Sequence, residues 1–242
     1  MTEITERQKF ILDKIIKEYI RLAEPVSSQF LERKYHLGIR PATVRLECKR
    51  LTDLGYLEKP HISAGRVPTD KGYRFFVDKF FEKNKSSFLE KKVLEKLSVL
   101  EKEIDDSLKF FSELTSFLAD FSSSLALTYL SDEMVCLKEG WTKVLREPEF
   151  QDLNCAKEFA KMIQKLERNI EEFLNRGKVS KIKVFIGKES KISSAENFSL
   201  ILGEVVFPKQ QRGALAILGP KRMHYLRNIK LMNSLVKFLE KC

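Results

Sequence analysis

The chain has 242 residues, 43% of them apolar, with 10 Gly and 7 Pro, which excludes a collagen-like or mainly disordered polypeptide and allows one large domain or two modest ones. Its formal charge of +10 and pI near 9.3 favour a polyanionic partner, whose bound counterions are released as Lys and Arg neutralise its charges. No apolar run approaches the roughly 18 residues of a membrane span, and MTEITERQKF lacks the apolar core of a signal peptide, so a cytoplasmic protein with no membrane contact is expected.

The basic excess is uneven, with 18 Lys and Arg against 12 Asp and Glu in residues 1–85. Thr5 followed three residues later by Gln8 reads as a capping box. Ile11, Ile15, Tyr19 and Leu22 then recur at helical spacing, with Phe10 and Ile16 widening the apolar face. Glu24-Pro25 stops this helix. Ser27 or Ser28 suits the cap of a second helix, whose Phe30, Leu31 and Tyr35 point inward. In the turn Leu37-Gly38-Ile39, Gly38 can supply a positive φ.

Pro41 suits the first position of a third helix, where its missing N–H costs nothing. Val44, Cys48, Leu51 and Leu54 predict one buried stripe, and helical geometry puts Ala42, Arg45, Leu46, Lys49 and Asp53 on the opposite face. Gly55 ends this helix and Tyr56-Leu57-Glu58 opens a short strand. Lys59 to Pro68 forms a loop in which Gly65 gives backbone freedom beside Arg66. Asp70 is expected to cap a further helix whose Tyr73, Phe75, Phe76 and Phe80 are core rather than a base-stacking platform.

Two short helices, a turn, an arginine-rich helix and a basic hairpin make a winged helix-turn-helix over residues 1–82. The candidate DNA contacts are Arg40, Thr43, Arg45, Leu46, Lys49 and Arg50 on the third helix, with His61, Ser63 and Arg66 in the loop. Arg45 and Lys49 are placed for base edges or phosphates, and Arg40 and Thr43, at the helix start, for phosphates.

Residues 86–128 form a connecting amphipathic segment. Leu97, Leu100, Ile104, Phe111, Leu114, Leu118, Phe121 and Leu125 follow three- and four-residue steps broken only at Ser107. Two uses fit this pattern, a coiled coil or one long helix packed on its own domain, and either could hold two copies together. Leu125–Leu130, Ile182–Ile186, Ser199–Phe207 and Gly213–Leu218 are expected strands. Ala156–Leu174 and Met223–Leu239 are expected helices, so residues 129–242 suggest an α+β sheet domain.

Nothing resembles a catalytic set. His36, His61 and His224 are far apart, Gly187-Lys188 lacks the spacing of a phosphate loop, and Cys48, Cys136, Cys155 and Cys242 are scattered small thiols. Glu147 and Glu149 read as exposed loop charges. No enzyme activity, metal or cofactor is expected.

The run Thr5-Glu6-Arg7-Gln8, Glu24-Pro25-Val26, Ala42-Thr43-Val44-Arg45, Leu54-Gly55, and His61 to Phe75 (HISAGRVPTDKGYRF) resembles the HrcA family of heat-inducible transcription repressors. Glu139-Gly140, Pro148-Glu149-Phe150 and Gly213 to Tyr225 are similar to that family's GAF-like domain. The resemblance implies a repressor that binds double-stranded DNA as a homodimer, at an inverted-repeat operator ahead of chaperone genes. It also implies the chaperonin as a partner that keeps the repressor active. Two departures stand out. The family usually has Arg-Asn-Glu-Met where this chain has Arg45-Leu46-Glu47-Cys48; Leu46 offers only apolar contact, for example to a thymine methyl, so either it does not face bases or the preferred operator differs. The family also inserts a dimerisation domain between the equivalents of Tyr129 and Glu139, which are ten positions apart here. The expected architecture is therefore α+β: a winged helix-turn-helix (1–82), a long connecting helix (86–128) as substitute dimer contact, and a reduced GAF-like mixed α/β domain (129–242). The alternative functions are a ligand-sensing winged-helix regulator with its effector site in the C-terminal domain, and a chaperone-interaction module.

Overall fold

Helix α1 (Glu6–Leu22) begins as its capping box predicts: Gln8 N donates to the Thr5 hydroxyl at 3.3 Å, and Thr5 N donates to Gln8 Oε1 at 2.9 Å. The computed structural model describes residues 4–61, 64–83, 95, 97, 99, 107–175, 182–191, 196–208 and 211–240, which fall in two units, Met1–Asn84 and Lys85–Cys242.

In the first unit, α1 is followed by α2 (Ser28–Tyr35), capped by the Ser27 hydroxyl, and α3 (Pro41–Asp53), with Pro41 at its first position. Gly38 adopts φ +66° in the connecting turn. The short strands β1 (Leu57–Glu58) and β2 (Val67–Pro68) pair antiparallel and lead into α4 (Asp70–Lys83). Thr69 rather than Asp70 caps α4, its hydroxyl accepting from Gly72 N at 3.2 Å, while Asp70 sits in the first turn where the helix dipole favours a carboxylate. Ile11, Leu12, Ile15, Ile16, Leu31, Val44, Leu51, Leu57, Tyr73, Phe76 and Val77 close the core. Phe10 is instead 48% exposed and carries the Lys14 ammonium 5.0 Å from its ring centroid, while Ile20, one position past Tyr19, turns inward.

Glu18 ties α1 to α2. Its carboxylate, 4% exposed, accepts from Lys34 Nζ and the Tyr35 hydroxyl at 2.5 Å each and from Arg21. Burial pushes this carboxyl up, but the hydrogen bonds from Lys34, Tyr35 and Arg21 outweigh burial and hold it near a pKa of about 2. A depressed carboxylate stabilises the fold above its ordinary pKa of 4.5 and ceases to as the pH falls to about 2. Denaturant unfolding of the first unit is thus expected to lose on the order of 1–3 kcal/mol across that window, and Glu18→Gln to flatten the profile; an unchanged profile in the variant would contradict the assignment.

The second unit is built on an antiparallel sheet of five strands in the order β4-β3-β7-β6-β5. The strands are β3 (Leu125–Leu130), β4 (Val135–Glu139), β5 (Ile182–Ile186), β6 (Phe198–Val206) and β7 (Arg212–Pro220). One face carries α5 (Ser107–Ser122) and the C-terminal α9 (Tyr225–Leu239). Against the other, Leu127, Tyr129, Leu200, Leu202 and Ala216 pack under Phe159, Met162, Ile163 and Leu166 of α7 (Leu153–Arg168), which follows the four-residue α6 (Trp141–Val144). The single helix expected over 156–174 breaks at Asn169, beyond which α8 (Ile170–Asn175) begins.

Two features depart from the sequence pattern, and the heptad-like segment takes one of the two uses left open for it. Strand β4 was not anticipated; the tight turn Ser131–Met134, with Met134 at φ +54°, folds it back on β3. The described part of the heptad-like segment faces home: Phe111, Leu114 and Leu118 are buried under their own sheet, with Thr115 and Thr128 hydroxyls 2.7 Å apart. Leu100 and Ile104 lie outside the described residues. Glu147 and Glu149 are not exposed loop charges. Both hold Arg222, whose side chain is 10% exposed; Nε meets Glu149 Oε1 at 2.6 Å, Nη2 meets Glu149 Oε2 at 3.0 Å, and Nη2 also reaches Glu147. A loop glutamate needs a cation to go inside, and that cation lies over seventy residues away in sequence.

Candidate nucleic-acid interface

The rotational setting of α3 decides which side chains it offers. Val44, Cys48 and Leu51 are buried, and Glu47 joins them on the inner side. Glu47 Oε2 accepts from Gln8 Nε2 of α1 at 2.8 Å, while its Oε1 accepts from Arg50 Nη1 at 3.2 Å. This pins α3 to α1 and leaves Ala42, Arg45, Leu46, Lys49 and Asp53 exposed on the outer side. Arg45 and Lys49 form no ion pair among the described residues. Arg50 is ion-paired with Glu47, whose Oε1 also lies 3.9 Å from Arg7 Nη1. Arg40 is the exposed cap residue of α3, and half-buried Thr43 donates its N–H to Arg40 O at 2.8 Å.

The hairpin is fastened to both helices that flank it. Arg66 and Val26 exchange backbone hydrogen bonds of 2.8 and 2.9 Å, next to the start of α2. That approach requires Gly65, because a Cβ there would lie 2.5 Å from the Val26 carbonyl. Arg66 Nε then donates to the Thr52 hydroxyl at 3.1 Å, and Thr52 in turn donates to Cys48 O at 2.9 Å within α3. Burial pushes the Cys48 thiol up to about 11, against the pull of Arg66, which leaves it an un-ionised packing group. His61 is exposed and its carbonyl accepts from Ala64 N at 3.0 Å. Ser63 lies outside the described residues.

These elements enclose a cleft of about 370 Å³. Ser27, Ser28 and Gln29 from the start of α2, Arg45 of α3, and Lys59 and Arg66 of the hairpin are among the residues that line it. Three cations around one concavity make a seat for an anionic oxygen, and a backbone phosphate has the right charge and size. The structure thus brings Arg45 and Arg66 to one place and sets Arg40 and His61 apart from it. Lys59 and Gln29 were missed from sequence, since a lysine after a two-residue strand and a glutamine in a helix's first turn carry no periodic signal. Glu47 was missed as well, although a signal for it existed: Val44, Glu47, Cys48 and Leu51 stand at i, i+3, i+4 and i+7, the slots of a buried stripe.

The second unit offers less. Ser122, Ser124, Glu147, Arg222, His224 and Arg227 border a concavity of about 40 Å³, room for water rather than a metabolite. Arg227 there already donates to Ser122 O at 2.6 Å. No group of three or more metal-ligating side chains occurs among the described residues, and no helix among them is long and apolar enough to cross a membrane.

Comparison with known proteins fits this architecture. A solved structure of a hypothetical protein, determined at 2.2 Å resolution, superposes with a TM-score of 0.78 over 99% of both chains at 19% identity, so it shares the fold. The heat-inducible transcription repressor HrcA of Shouchella clausii is 25% identical over 335 residues, covering 98% of each chain. Since that alignment is longer than the 242 residues here, the relative carries a long stretch without counterpart in this chain. The HrcA repressor of Desulforudis audaxviator is 43% identical over 121 residues, 48% of this chain and 35% of its own. The family model of the HrcA protein C-terminal domain matches residues 79–229, well over half of the sequence, and the chain therefore belongs to the HrcA family.

Proposed function

We propose that this protein is a transcription repressor of heat-inducible chaperone genes, whose first unit is a winged helix-turn-helix reading an inverted-repeat operator in the cytoplasm. In this reading α3 enters the major groove and presents Arg45 and Lys49, while the hairpin brings Lys59 and Arg66 to the backbone or minor groove. The second unit is a reduced GAF-like domain. The observation that carries the reading is the fixed setting of α3, with its apolar stripe buried and with Arg45 and Lys49, which form no ion pair among the described residues, facing outward beside the cleft. The HrcA relatives, named as heat-inducible transcription repressors, support the regulatory role. An inverted repeat calls for two copies. The described α5 stripe is taken up by its own sheet, so the dimer contact falls to other surfaces. The chaperonin is the partner that the family resemblance suggests.

Fluorescence anisotropy with labelled fragments from upstream of chaperone genes tests this. A preferred fragment is expected, with affinity falling steeply between about 50 and 200 mM salt as several phosphate contacts release counterions. Equal affinity for every fragment, or a response flat in salt, would overturn the reading.

A further inference from the structure

We propose that Leu46, with Ala42 one helical turn before it, reads the C5-methyl group of a thymine in the operator; this rests on the DNA-reading assignment above. Leu46 is 48% exposed on the outer side of α3, between Arg45 and Lys49. Ala42 is exposed at i−4, so the two form a short apolar strip within a cationic face. Leu46 cannot swing inward, because the Gln8–Glu47 hydrogen bond and the buried Val44, Cys48 and Leu51 fix the helix about its axis. Among the described residues of this unit the other exposed large apolar side chain is Phe10, which lies on α1, away from the cationic face of α3, with the Lys14 ammonium 5.0 Å from its ring centroid.

A phosphate gives an isobutyl group nothing and loses water to it. On the major-groove floor one base edge is apolar, the thymine methyl, and it is the group that aliphatic side chains contact there. Guanine and cytosine edges would leave their donors and acceptors facing Leu46 without a partner. The strip therefore selects thymine at one or two positions per half-site.

The test uses the full chain and operator duplexes in which each thymine is replaced in turn by deoxyuridine, which removes the methyl and keeps the pairing. At the thymine facing Leu46, binding is expected to weaken about three- to fivefold, the size of one methyl group withdrawn from contact. Leu46→Ala and Leu46→Asn are expected to bind the unmodified operator more weakly and to be indifferent to uracil at that position. Indifference of the wild-type chain to every replacement, with operator preference retained, overturns the role of Leu46 and leaves DNA reading intact. A loss at the same position that persists in both variants also overturns it. Absence of any operator preference in the wild-type chain overturns the parent reading and this one with it.

Discussion

Arg222→Ala is expected to destabilise the second unit by about 2–4 kcal/mol, read as a lowered urea midpoint with an unchanged slope. Burial alone would weaken the charge on this guanidinium, but hydrogen bonds and attraction from Glu149 and Glu147 more than restore it, so Arg222 stays protonated. Its removal leaves two partly buried carboxylates without the cation they share. The glutamates keep some contact with water, which screens the repulsion and keeps the expected loss below that of a fully enclosed triad. The same contacts tie the 3₁₀ turn Pro148–Gln151, which precedes α7, to the residues leading into α9, so the loss is structural as well as electrostatic. Adding Glu147→Gln and Glu149→Gln to Arg222→Met should recover most of it, because charges that are absent together leave no imbalance. A change under about 0.5 kcal/mol for Arg222→Ala would remove the clamp from the account of stability.

Arg45→Ala is expected to cost about 1–3 kcal/mol on the operator, roughly five- to 150-fold in affinity, if the guanidinium meets a guanine edge. Random duplex should then lose much less. The contrast with Arg66→Gln separates two kinds of contact. Arg66 is shared with Thr52 and lines the cleft, so its loss should weaken operator and random DNA alike and reduce the salt slope by about one. Equal losses on both duplexes for Arg45→Ala would move Arg45 from base reading to the phosphate backbone. Neither substitution should disturb the fold: Arg45 is exposed, and Arg66→Gln leaves the backbone bridge to Val26 in place.

Local signals carried most of the first unit. The Thr5–Gln8 box, the Ser27 cap, Pro41 at a helix start and the Val44–Cys48–Leu51 stripe are written within a few residues of one another, and each stands where its chemistry requires. The site was half legible for the same reason. Arg45 and Lys49 follow from helical phase, whereas the cleft arises where Val26, Thr52 and Arg66 meet, and no spacing in the sequence announces that meeting. In the second unit the buried strands stood out as apolar runs. Strand β4 did not, because Val135-Cys136-Leu137-Lys138-Glu139 lies at a sheet edge and mixes apolar with charged residues. Glu147 and Glu149 misled for the opposite reason: their burial depends on an arginine that sequence distance hides.

The backbone bridge between Arg66 and Val26 gives the protein something like a caliper. One jaw is the outer side of α3 and the other is the hairpin, and the Gly65 approach to Val26 prevents the gap between them from adjusting. On the proposed reading, a duplex that must narrow or widen to meet both jaws would bear the deformation itself, at an energy set by its own stiffness. Base pairs that no side chain touches would then weigh in the choice of operator.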